Sequence, residues 1–342
     1  MKTTHVRPAF PHFGAFESTK LGDNGTDILS TTHHIQRWQY DLGLLRSASI
    51  LNLRYSVPWH RIELKPGVYD FNWLDGPMWY MRDNRMSPVL DPLHHISFPD
   101  WLKGGFSNTE FPRLYERFVG AVAERYPWVD AYTIFNEPLP TTLFCSYTGW
   151  WYPFQASDHH FVAMALNVAR AICRVSDRLQ KLNRQVRFFH MDTCEIHRAT
   201  DSLSEEWVEF ANVRRFLMHD LVLGLVDRHH PAYEYLKTHA ASDEEIQWFS
   251  DHRSRIDVLG LDYYIHSEIE WYWDRELGRA NISWPVRHPA GFAGTAAGYA
   301  ERFGVPVMLG ETNLRGTPHD RLTWLKFMEE ECEKISALIG DN

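Results

Sequence analysis

Two glutamates in this sequence each follow a short apolar run that ends abruptly. Glu137 comes directly after the run Ala131–Asn136 and directly before Pro138, and Glu311 comes directly after the run Val305–Gly310. Hydrolysis of a glycosidic bond uses such a pair of carboxyl groups: one protonates the leaving oxygen, and the other attacks the anomeric carbon or activates water. The two residues therefore predict a glycosidase, with Glu137 as the acid and Glu311 as the nucleophile.

The proline after Glu137 favours a position at the carboxyl end of a strand, because proline cannot donate a hydrogen bond to a sheet. The α/β barrels place their active sites at that end. An acid catalyst there needs a raised pKa, from burial or from a neighbouring carboxylate, and Asn136 can hydrogen-bond a sugar hydroxyl. Other roles stay open at this point: Glu137 could cap a helix or face solvent in a loop, and Glu311 could form a surface ion pair.

Short apolar segments alternate with amphipathic segments along the chain. Such alternation predicts parallel strands that are joined by right-handed crossovers. Helical spacing of apolar residues is clearest in Phe111–Tyr126, in His160–Leu179 and in the last segment, from Pro318 to about Leu338. The predicted strands are Phe10–Phe16, Ile50–Ser56, Pro88–Leu93, Tyr132–Asn136, Val186–Met191, Ile256–Tyr263 and Val305–Leu309.

The expected fold is a single α/β domain over residues 1–342, a TIM (β/α)8-type barrel. Seven β/α units are identifiable, and the eighth strand is expected to be absent or truncated, because the last predicted helix ends close to Asn342. A length of 342 residues with 44% hydrophobic residues suits one such barrel, and no Pro/Gly/Ser linker divides the chain. Seven strands leave two exposed sheet edges, which a second copy of the chain could cover.

Composition narrows the class of partner. The net charge of −9 argues against nucleic acid or an anionic membrane surface as the main partner, and no apolar run approaches the length of a membrane span. The 14 tryptophans suit stacking on sugar rings, although they could equally fill a large core. The expected partner is therefore a small carbohydrate.

The cysteines and histidines lead to negative expectations. The four cysteines, Cys145, Cys173, Cys194 and Cys332, form no CxxC pair and no disulfide framework, and the segment Met1–Pro8 lacks the apolar core of a signal peptide. We therefore expect a cytoplasmic protein. Although there are 19 histidines, no HExxH or other metal-ligand spacing occurs, so neither a metal nor a cofactor is expected.

Several ordered motifs, between about Phe13 and Asn313, make the chain resemble glycoside hydrolase family 1 and related retaining barrel glycosidases. Thr133–Pro138 resembles the acid/base motif on strand four of that family, and Leu309–Asn313 resembles its nucleophile motif on strand seven. The other matching segments are Leu93-His94-His95 on strand three, Leu53-Arg54-Tyr55-Ser56 on strand two and Gly260-Leu261-Asp262-Tyr263-Tyr264 on strand six. The resemblance implies a β-glucosidase-like retaining enzyme, which cleaves small β-linked glycosides by double displacement through a glycosyl-enzyme intermediate.

The same resemblance implies roles for residues around the two acids. Arg54 and Tyr264 would donate hydrogen bonds to the nucleophile and keep it ionised, and His95 would contact the sugar unit that is cleaved. A structural ion pair and a core aromatic are the alternative roles of Arg54 and Tyr264. Glu17 could bind sugar hydroxyls or cap a strand, and Trp150 could form a wall of the sugar cleft or belong to the core of a loop.

The chain departs from the pattern of that family at several places. Glu311-Thr312-Asn313 stands where the family usually has Glu-Asn-Gly, and His95-Ile96 stands where it has His-Trp. The eighth strand of the family supplies Trp and Glu residues that bind the outer hydroxyls of the sugar, and nothing in this sequence matches them. These departures leave a second hypothesis open, an inactive or truncated barrel that binds carbohydrate without hydrolysing it.

Overall fold

The computed structural model describes residues 11–21 and 25–339, and its central feature is a parallel sheet of seven strands. Each strand pairs with its neighbours in chain order, as a succession of β/α units requires. The strands are β1 (Phe13–Phe16), β2 (Asn52–Ser56), β3 (Ser87–Asp91), β4 (Ala131–Tyr132), β5 (Arg187–Thr193), β6 (Val258–Asp262) and β7 (Val307–Leu309).

The seven predicted strands are confirmed, with differences at their ends. The start predicted for the first strand, Phe10, lies outside the described residues. The fourth strand is only two residues long, but the chain after it keeps pairing with its neighbour: the N–H of Thr133 donates to the Leu90 carbonyl (2.8 Å), and the N–H of Asn136 donates to the Leu93 carbonyl (3.0 Å). This extended stretch carries the chain past the edge of the sheet and up to Glu137.

Helices follow the strands, and the predicted ones are confirmed with small changes at their ends. The helix predicted at 111–126 runs over Phe111–Arg125, with Pro112 in the first turn, where a missing N–H is harmless. The helix predicted at 160–179 starts earlier, because Ser157 caps it by accepting a hydrogen bond from the His160 N–H (3.2 Å). None of the helices described is both long and apolar enough to cross a lipid bilayer. The helices are Ile28–Thr31, His34–Ser47, Trp59–Ile62, Asn72–Asp83, Phe111–Arg125, Pro138–Thr142, Asp158–Leu182, Glu205–Arg214, Leu217–Val222, Tyr233–Thr238, Asp243–Asp251, Gly291–Phe303 and Pro318–Ile339, with a 3-10 turn at Gly105–Ser107 and a π-turn at Leu143–Tyr147.

An apolar cluster inside the sheet shows that the sheet is curled. Phe13 of β1 and Phe189 of β5 are not on neighbouring strands, yet their ring centroids lie 6.4 Å apart. Met308 of β7 packs on the same cluster, together with Val89 of β3. Contacts among strands one, three, five and seven are possible only where the sheet bends round on itself, so the architecture is an open barrel with a filled interior.

The open side of this barrel lies between β1 and β7, since no eighth strand joins the sheet within residues 11–21 and 25–339. The last helix, Pro318–Ile339, packs against the helix Gly291–Phe303, which precedes β7. His12, directly before β1, forms an ion pair with Glu329 of the last helix (Nε2–Oε1 3.7 Å). The last helix therefore connects the two edge strands of the sheet on the outside.

A smaller sheet of three strands stands beside the barrel. It consists of Ile196–Ala199, Glu268–Asp274 and Arg279–Ser283. These segments follow β5 and β6, so the small sheet rises from the carboxyl end of the barrel strands. A further ribbon of two short strands, Lys20–Leu21 and Thr26–Asp27, follows β1.

Candidate active site

The carboxyl ends of the parallel strands bring most of the predicted polar residues to one place. Arg54 is the central link, because its Nη1 donates to Asn136 Oδ1 (3.0 Å) and its Nη2 donates to Glu311 Oε1. Asn136 and Arg54 are both buried, so this contact is shielded from water. The residues that converge are Glu17 after β1, Arg54 in β2, His94 and His95 after β3, Asn136 and Glu137 after β4, Tyr264 after β6 and Glu311 after β7.

Glu137 points into the site and does not cap the helix that follows it. Its backbone is left-handed (φ 45°), its N–H donates to the Met191 carbonyl of β5 (3.0 Å), and its side chain makes no capping hydrogen bond. The side chain is only 12% exposed, and its Oε2 lies 3.4 Å from His95 Nε2. These contacts exclude both alternative roles that the sequence left open for Glu137, the helix cap and the solvent-facing loop acid.

Glu311 is held from two sides by hydrogen-bond donors. The Arg54 guanidinium donates to Oε1, and the Tyr264 hydroxyl donates to Oε2 (2.6 Å). The Glu311 side chain is 16% exposed and Arg54 is buried, so the pair is not a surface ion pair. The structure therefore places Arg54 and Tyr264 where the family resemblance implies them to be, against the second carboxylate.

The surroundings shift the pKa values of the two carboxyl groups in opposite directions. Burial and the negative charge of Glu311 raise the pKa of Glu137 to about 8. Burial would also raise the pKa of Glu311, but Arg54, His94 and Tyr264 outweigh it and hold that pKa well below its ordinary range. At neutral pH one group is thus protonated and the other is ionised, which is the division of roles that acid and nucleophile require.

His94 belongs to the site although the sequence directed attention to its neighbour. This fully buried ring lies between Asp91 (Nδ1–Oδ2 2.6 Å) and Glu17 (Nε2–Oε2 3.0 Å), and its Nε2 is 4.0 Å from Glu311. Burial opposes the charge of His94, but these carboxylates raise its pKa to about 10. The signal in the sequence was the spacing of Asp91 and His94, three residues apart at the end of a strand.

His95 contacts Glu137 rather than Glu311. Its Nε2 lies 3.4 Å from Glu137, and its Nδ1 lies 3.0 Å from the Thr141 hydroxyl. Burial and the adjacent charge of His94 lower the pKa of His95 to about 3, so this ring is neutral. A neutral His95 adds no further cation to those of His94 and Arg54, which already act to lower the pKa of Glu137.

Asp262, at the end of β6, is a third carboxyl group under the site. It is fully buried, and neither of its side-chain oxygens has a hydrogen-bond partner. Burial and the nearby negative charge of Glu311 raise the pKa of Asp262 well above its ordinary value, so the group is neutral. A side-chain carbon at Gly310 would lie 2.3 Å from Asp262 Oδ1, and glycine is therefore needed where β7 ends.

A match to a family profile shows which protein family this chain belongs to. The profile of glycosyl hydrolase family 1 matches residues 7–281, well over half of the chain. The chain belongs to glycosyl hydrolase family 1. The matched residues include Glu137 but end before Glu311, whose place in the site follows from its contacts with Arg54 and Tyr264. No protein among the curated sequences matches the chain.

Solved structures of family 1 enzymes have a similar fold. A β-glucosidase from Thermotoga maritima in complex with deoxynojirimycin aligns with a TM-score of 0.76 at 16% identity, over 88% of this chain and 74% of that chain. The family 1 β-glucosidase from the same organism aligns with a TM-score of 0.74, also at 16% identity, over 88% of this chain and 75% of that chain. At such identities the similarity shows the fold alone, and it shows that the curled sheet is a (β/α) barrel.

An aromatic groove beside the site of this family 1 chain holds the predicted tryptophan. Its volume is about 780 Å³, and Ile96, Trp150, Trp151 and Tyr152 are among the residues that line it. Trp150 is 63% exposed and stacks on Phe144 (ring centroids 5.0 Å). Its neighbour Trp151, whose ring centroid lies 5.1 Å from that of His95, is the residue that joins the groove to the site.

A second ionised glutamate lies on the far side of Glu137, where the small sheet begins. Burial would raise the pKa of Glu195, but a hydrogen bond from His197 lowers it (Nε2–Oε2 3.3 Å). Trp271 of the small sheet in turn donates its Nε1–H to His197 Nδ1 (3.0 Å). The charge of Glu195 contributes to the raised pKa of Glu137. Glu195 could not be predicted from the sequence, because no recognisable motif surrounds it.

Proposed function

We propose that this family 1 chain is a retaining, β-glucosidase-like glycosidase, which cleaves small β-linked glycosides by double displacement. The observation that carries the proposal is the opposite state of the two carboxyl groups. Arg54 and Tyr264 hold Glu311 ionised, whereas the buried Glu137 keeps its proton at neutral pH beside that charge. An ionised nucleophile and a protonated acid are the starting state of retaining hydrolysis.

In the first step, a carboxylate oxygen of Glu311 attacks the anomeric carbon while the bond from that carbon to the glycosidic oxygen breaks. Glu137 gives its proton to the departing oxygen, so the leaving group departs as a neutral alcohol. The product is an ester between the sugar and Glu311. Tyr264 and Arg54 orient the attacking carboxylate throughout this step.

In the second step, Glu137 changes from acid to base because Glu311 has lost its negative charge. The ester carries no negative charge, so one cause of the raised pKa of Glu137 is gone. Glu137, now ionised, takes a proton from a water molecule whose oxygen attacks the anomeric carbon, and the ester bond breaks. The sugar leaves with its original configuration after two inversions.

The polar groups around the nucleophile support a sugar as the substrate. Glu17, His94, His95 and Asn136 offer charged and neutral hydrogen-bonding groups next to Glu311 and Glu137. The adjoining aromatic groove, with Trp150 and Trp151 in its walls, suits the leaving group, because aromatic faces stack on the C–H faces of sugar rings. The similarity to β-glucosidases favours a β-glucoside as the first substrate to try.

The decisive experiment replaces Glu311 and restores its function chemically. Glu311→Ala should abolish hydrolysis of an activated aryl β-glycoside, and added azide should partly restore turnover, with a glycosyl azide of inverted configuration as the product. The matched control is Glu276→Ala, at an exposed turn of the small sheet, which should keep wild-type activity. Wild-type activity in Glu311→Ala would contradict the proposal, and NMR of the anomer that wild type forms first separates retention from inversion.

The open side of the barrel supports a second candidate, a protein that binds carbohydrate without cleaving it. In this reading, the sheet edges at β1 and β7 leave the sugar pocket incomplete. Calorimetric titration of wild type with sugars, run alongside the aryl-glycoside assay, separates the two candidates. Binding without turnover favours the second candidate, and turnover that depends on Glu311 favours the first.

We further propose that a second copy of the chain covers the exposed edges, since parallel edge strands with unpaired backbone groups invite association. Light scattering coupled to size exclusion should then give twice the chain mass of 40.2 kDa. A mass of one chain at every concentration would contradict the proposal.

Cytoplasmic location also remains a prediction; the free, buried thiols of Cys145, Cys173 and Cys194 are compatible with it.

A further inference from the structure

Three potential metal ligands meet behind β5, on the side of that strand that faces the helices. Residues alternate between the two faces of a strand, and Met191 of β5 belongs to the cluster inside the barrel. Its neighbours His190 and Asp192 therefore face outward. There they meet His219 of the helix Leu217–Val222, whose ring centroid lies 4.6 Å from that of His190.

The facing atoms of this trio have no partner. His190 Nε2, Asp192 Oδ2 and both ring nitrogens of His219 are buried and make no hydrogen bond. His190 is 7% exposed, and Asp192 and His219 are 0% exposed. The other oxygen of Asp192 is used, since it accepts from the N–H of Leu139 (3.3 Å) and of Thr193 (2.9 Å). Buried polar groups without partners are rare and destabilising, so a cluster of three favours one common ligand for all three groups.

The spacing of the three groups suits one metal ion. One ligand atom from each residue lies within 4.8 Å of the other two. Bonds of about 2.0–2.2 Å to a tetrahedral ion would place these atoms about 3.3 Å apart, so a closure of at most roughly 1.5 Å is needed, which side-chain rotation can supply. A water molecule would take the fourth position of the ion. Because two of the three ligands are imidazoles, the site favours a transition-metal ion over Mg²⁺ or Ca²⁺.

We propose that His190, Asp192 and His219 bind one Zn²⁺ ion, which fastens the helix Leu217–Val222 to β5. The surroundings fit a buried ion. The nearest guanidinium, that of Arg302, is neutralised by Asp220 (Nη2–Oδ2 2.8 Å), and the ring of Phe303 stacks on His219 (centroids 5.1 Å). The role of this ion is structural, because the trio lies on the opposite face of β5 from the barrel interior.

The proposal is tested first on the wild-type protein. Protein that has been produced in zinc-supplemented medium should contain close to one zinc per chain by elemental analysis after extensive dialysis. Removal of the metal, by unfolding and refolding with a chelator, should lower Tm by at least about 4 °C, and refolding with Zn²⁺ should restore it. The proposal would be overturned if the protein contained far less than one zinc per chain and if Tm changed neither on removal of the metal nor on refolding with Zn²⁺.

Two variants connect the metal to these residues. Asp192→Asn keeps an oxygen for the N–H groups of Leu139 and Thr193 but loses the charge, and His219→Gln loses an imidazole that has no other hydrogen bond. Both should lose at least about nine-tenths of the bound zinc. The matched control is His252→Gln at an exposed helix end, where the imidazole meets only the Trp248 carbonyl and ring, and its zinc content should stay at the wild-type level.

Refolding with Co²⁺ gives a readout that does not depend on how stable the variants are. A tetrahedral cobalt site in wild type should show strong visible absorption, which competition with Zn²⁺ abolishes. A simple hydrogen-bonded trio without a metal would instead show no such absorption. Zinc retained by both variants at the level of the control would likewise overturn the assignment to these residues.

Discussion

At the scale of single residues, the site makes two identical side chains behave differently. Glu311 meets a guanidinium and a phenol, whereas Glu137 meets a neutral imidazole and the charge of Glu311. The difference lies in the surroundings, because both side chains are almost equally buried, at 12% and 16% exposed. Neighbouring side chains, rather than depth alone, thus decide which glutamate keeps its proton.

Tyr264→Phe should narrow the pH range of activity from its acidic side. The Tyr264 hydroxyl is one of the donors that keep the pKa of Glu311 low, so its loss raises that pKa. The nucleophile must be ionised, and activity is lost as pH falls through its pKa, so the loss moves to higher pH. Loss of a hydrogen bond to a charged group costs about 1.5–3 kcal/mol, which predicts a roughly ten- to hundredfold lower kcat/KM. The pH profile with an aryl β-glycoside measures both effects.

The adjacent tyrosine provides the control for this variant. Tyr263 donates its hydroxyl to Glu268 (2.8 Å), outside the site, so Tyr263→Phe should leave the acidic limb of the profile in place. In both variants the basic limb should stay near pH 8, where Glu137 loses its proton. Equal shifts of the acidic limb in the two variants would contradict the role given to Tyr264.

At this scale, the residues that could be predicted from the sequence are acids that directly follow an apolar run. Glu137 and Glu311 stood out in this way, and motif similarity added Arg54 and Tyr264. Neither His94 nor Asp262 was predicted as a site residue, although both lie in the motifs that resemble family 1. Their importance depends on burial against other strands, which the sequence does not show. His94 and Glu17 follow different strands, so their contact forms only when the sheet has folded.

At the scale of elements, the end of β7 lies so close to β6 that Gly310 has no room for a side chain. A Cβ atom at Gly310 would lie 2.3 Å from Asp262 Oδ1 and 2.9 Å from Met191 Sδ, so Gly310→Ala must displace the segment that carries Glu311. Overpacking of this kind lowers the free energy of unfolding by about 1–3 kcal/mol. A displacement of about 1 Å at a reacting group lowers kcat roughly hundredfold. Urea unfolding and initial rates measure the two effects.

Gly43 offers the same substitution without the crowding. It lies in the helix His34–Ser47, and the nearest atom to an added Cβ is the Tyr80 hydroxyl, 3.8 Å away. Alanine stabilises a helix interior by about 0.5–1 kcal/mol relative to glycine, so Gly43→Ala should be neutral or stabilising with unchanged kcat. Similar losses in both variants would show that crowding at Gly310 is not the cause.

The sequence predicted elements well where their periodicity was strong. The helices at Phe111–Arg125 and Asp158–Leu182 have long apolar stripes, and they were found with small errors at their ends. The three-stranded sheet was not predicted, since its strands Glu268–Asp274 and Arg279–Ser283 are half-buried and mix polar with apolar residues. Its parallel pair, Ile196–Ala199 with Glu268–Asp274, forms because β5 and β6 bring the two segments together.

At the scale of the whole molecule, the site itself helps to close the open barrel. The open side lies between β1 and β7, and the contact between Arg54 of β2 and Glu311 after β7 reaches across it. The last helix makes a second connection, through the ion pair of His12 with Glu329. The Arg54–Glu311 pair, which keeps Glu311 ionised, therefore also connects the two ends of the sheet.

This double role predicts that two similar substitutions at the site change stability in opposite directions. At pH 7, Glu311→Gln removes the charge that pairs with the buried Arg54, so the free energy of unfolding should fall by about 3–5 kcal/mol. Glu137→Gln removes a carboxyl group whose folded pKa is about 8 against an ordinary 4.5. The folded protein must keep that group protonated at a pH where the unfolded chain ionises it, so this variant should gain about 1–3 kcal/mol.

The pH dependence of the two effects separates their causes. A raised folded pKa destabilises only above the ordinary value of 4.5, so the gain from Glu137→Gln should vanish as pH falls to about 4. A depressed folded pKa stabilises above the ordinary value and loses its effect only as pH falls through the folded pKa, so the cost of Glu311→Gln should persist at about pH 4. Urea unfolding of both variants at the two pH values measures these changes. Changes of the same sign at pH 7 would show that the two carboxyl groups do not differ in ionisation, and the assignment of acid and nucleophile would lose its physical basis.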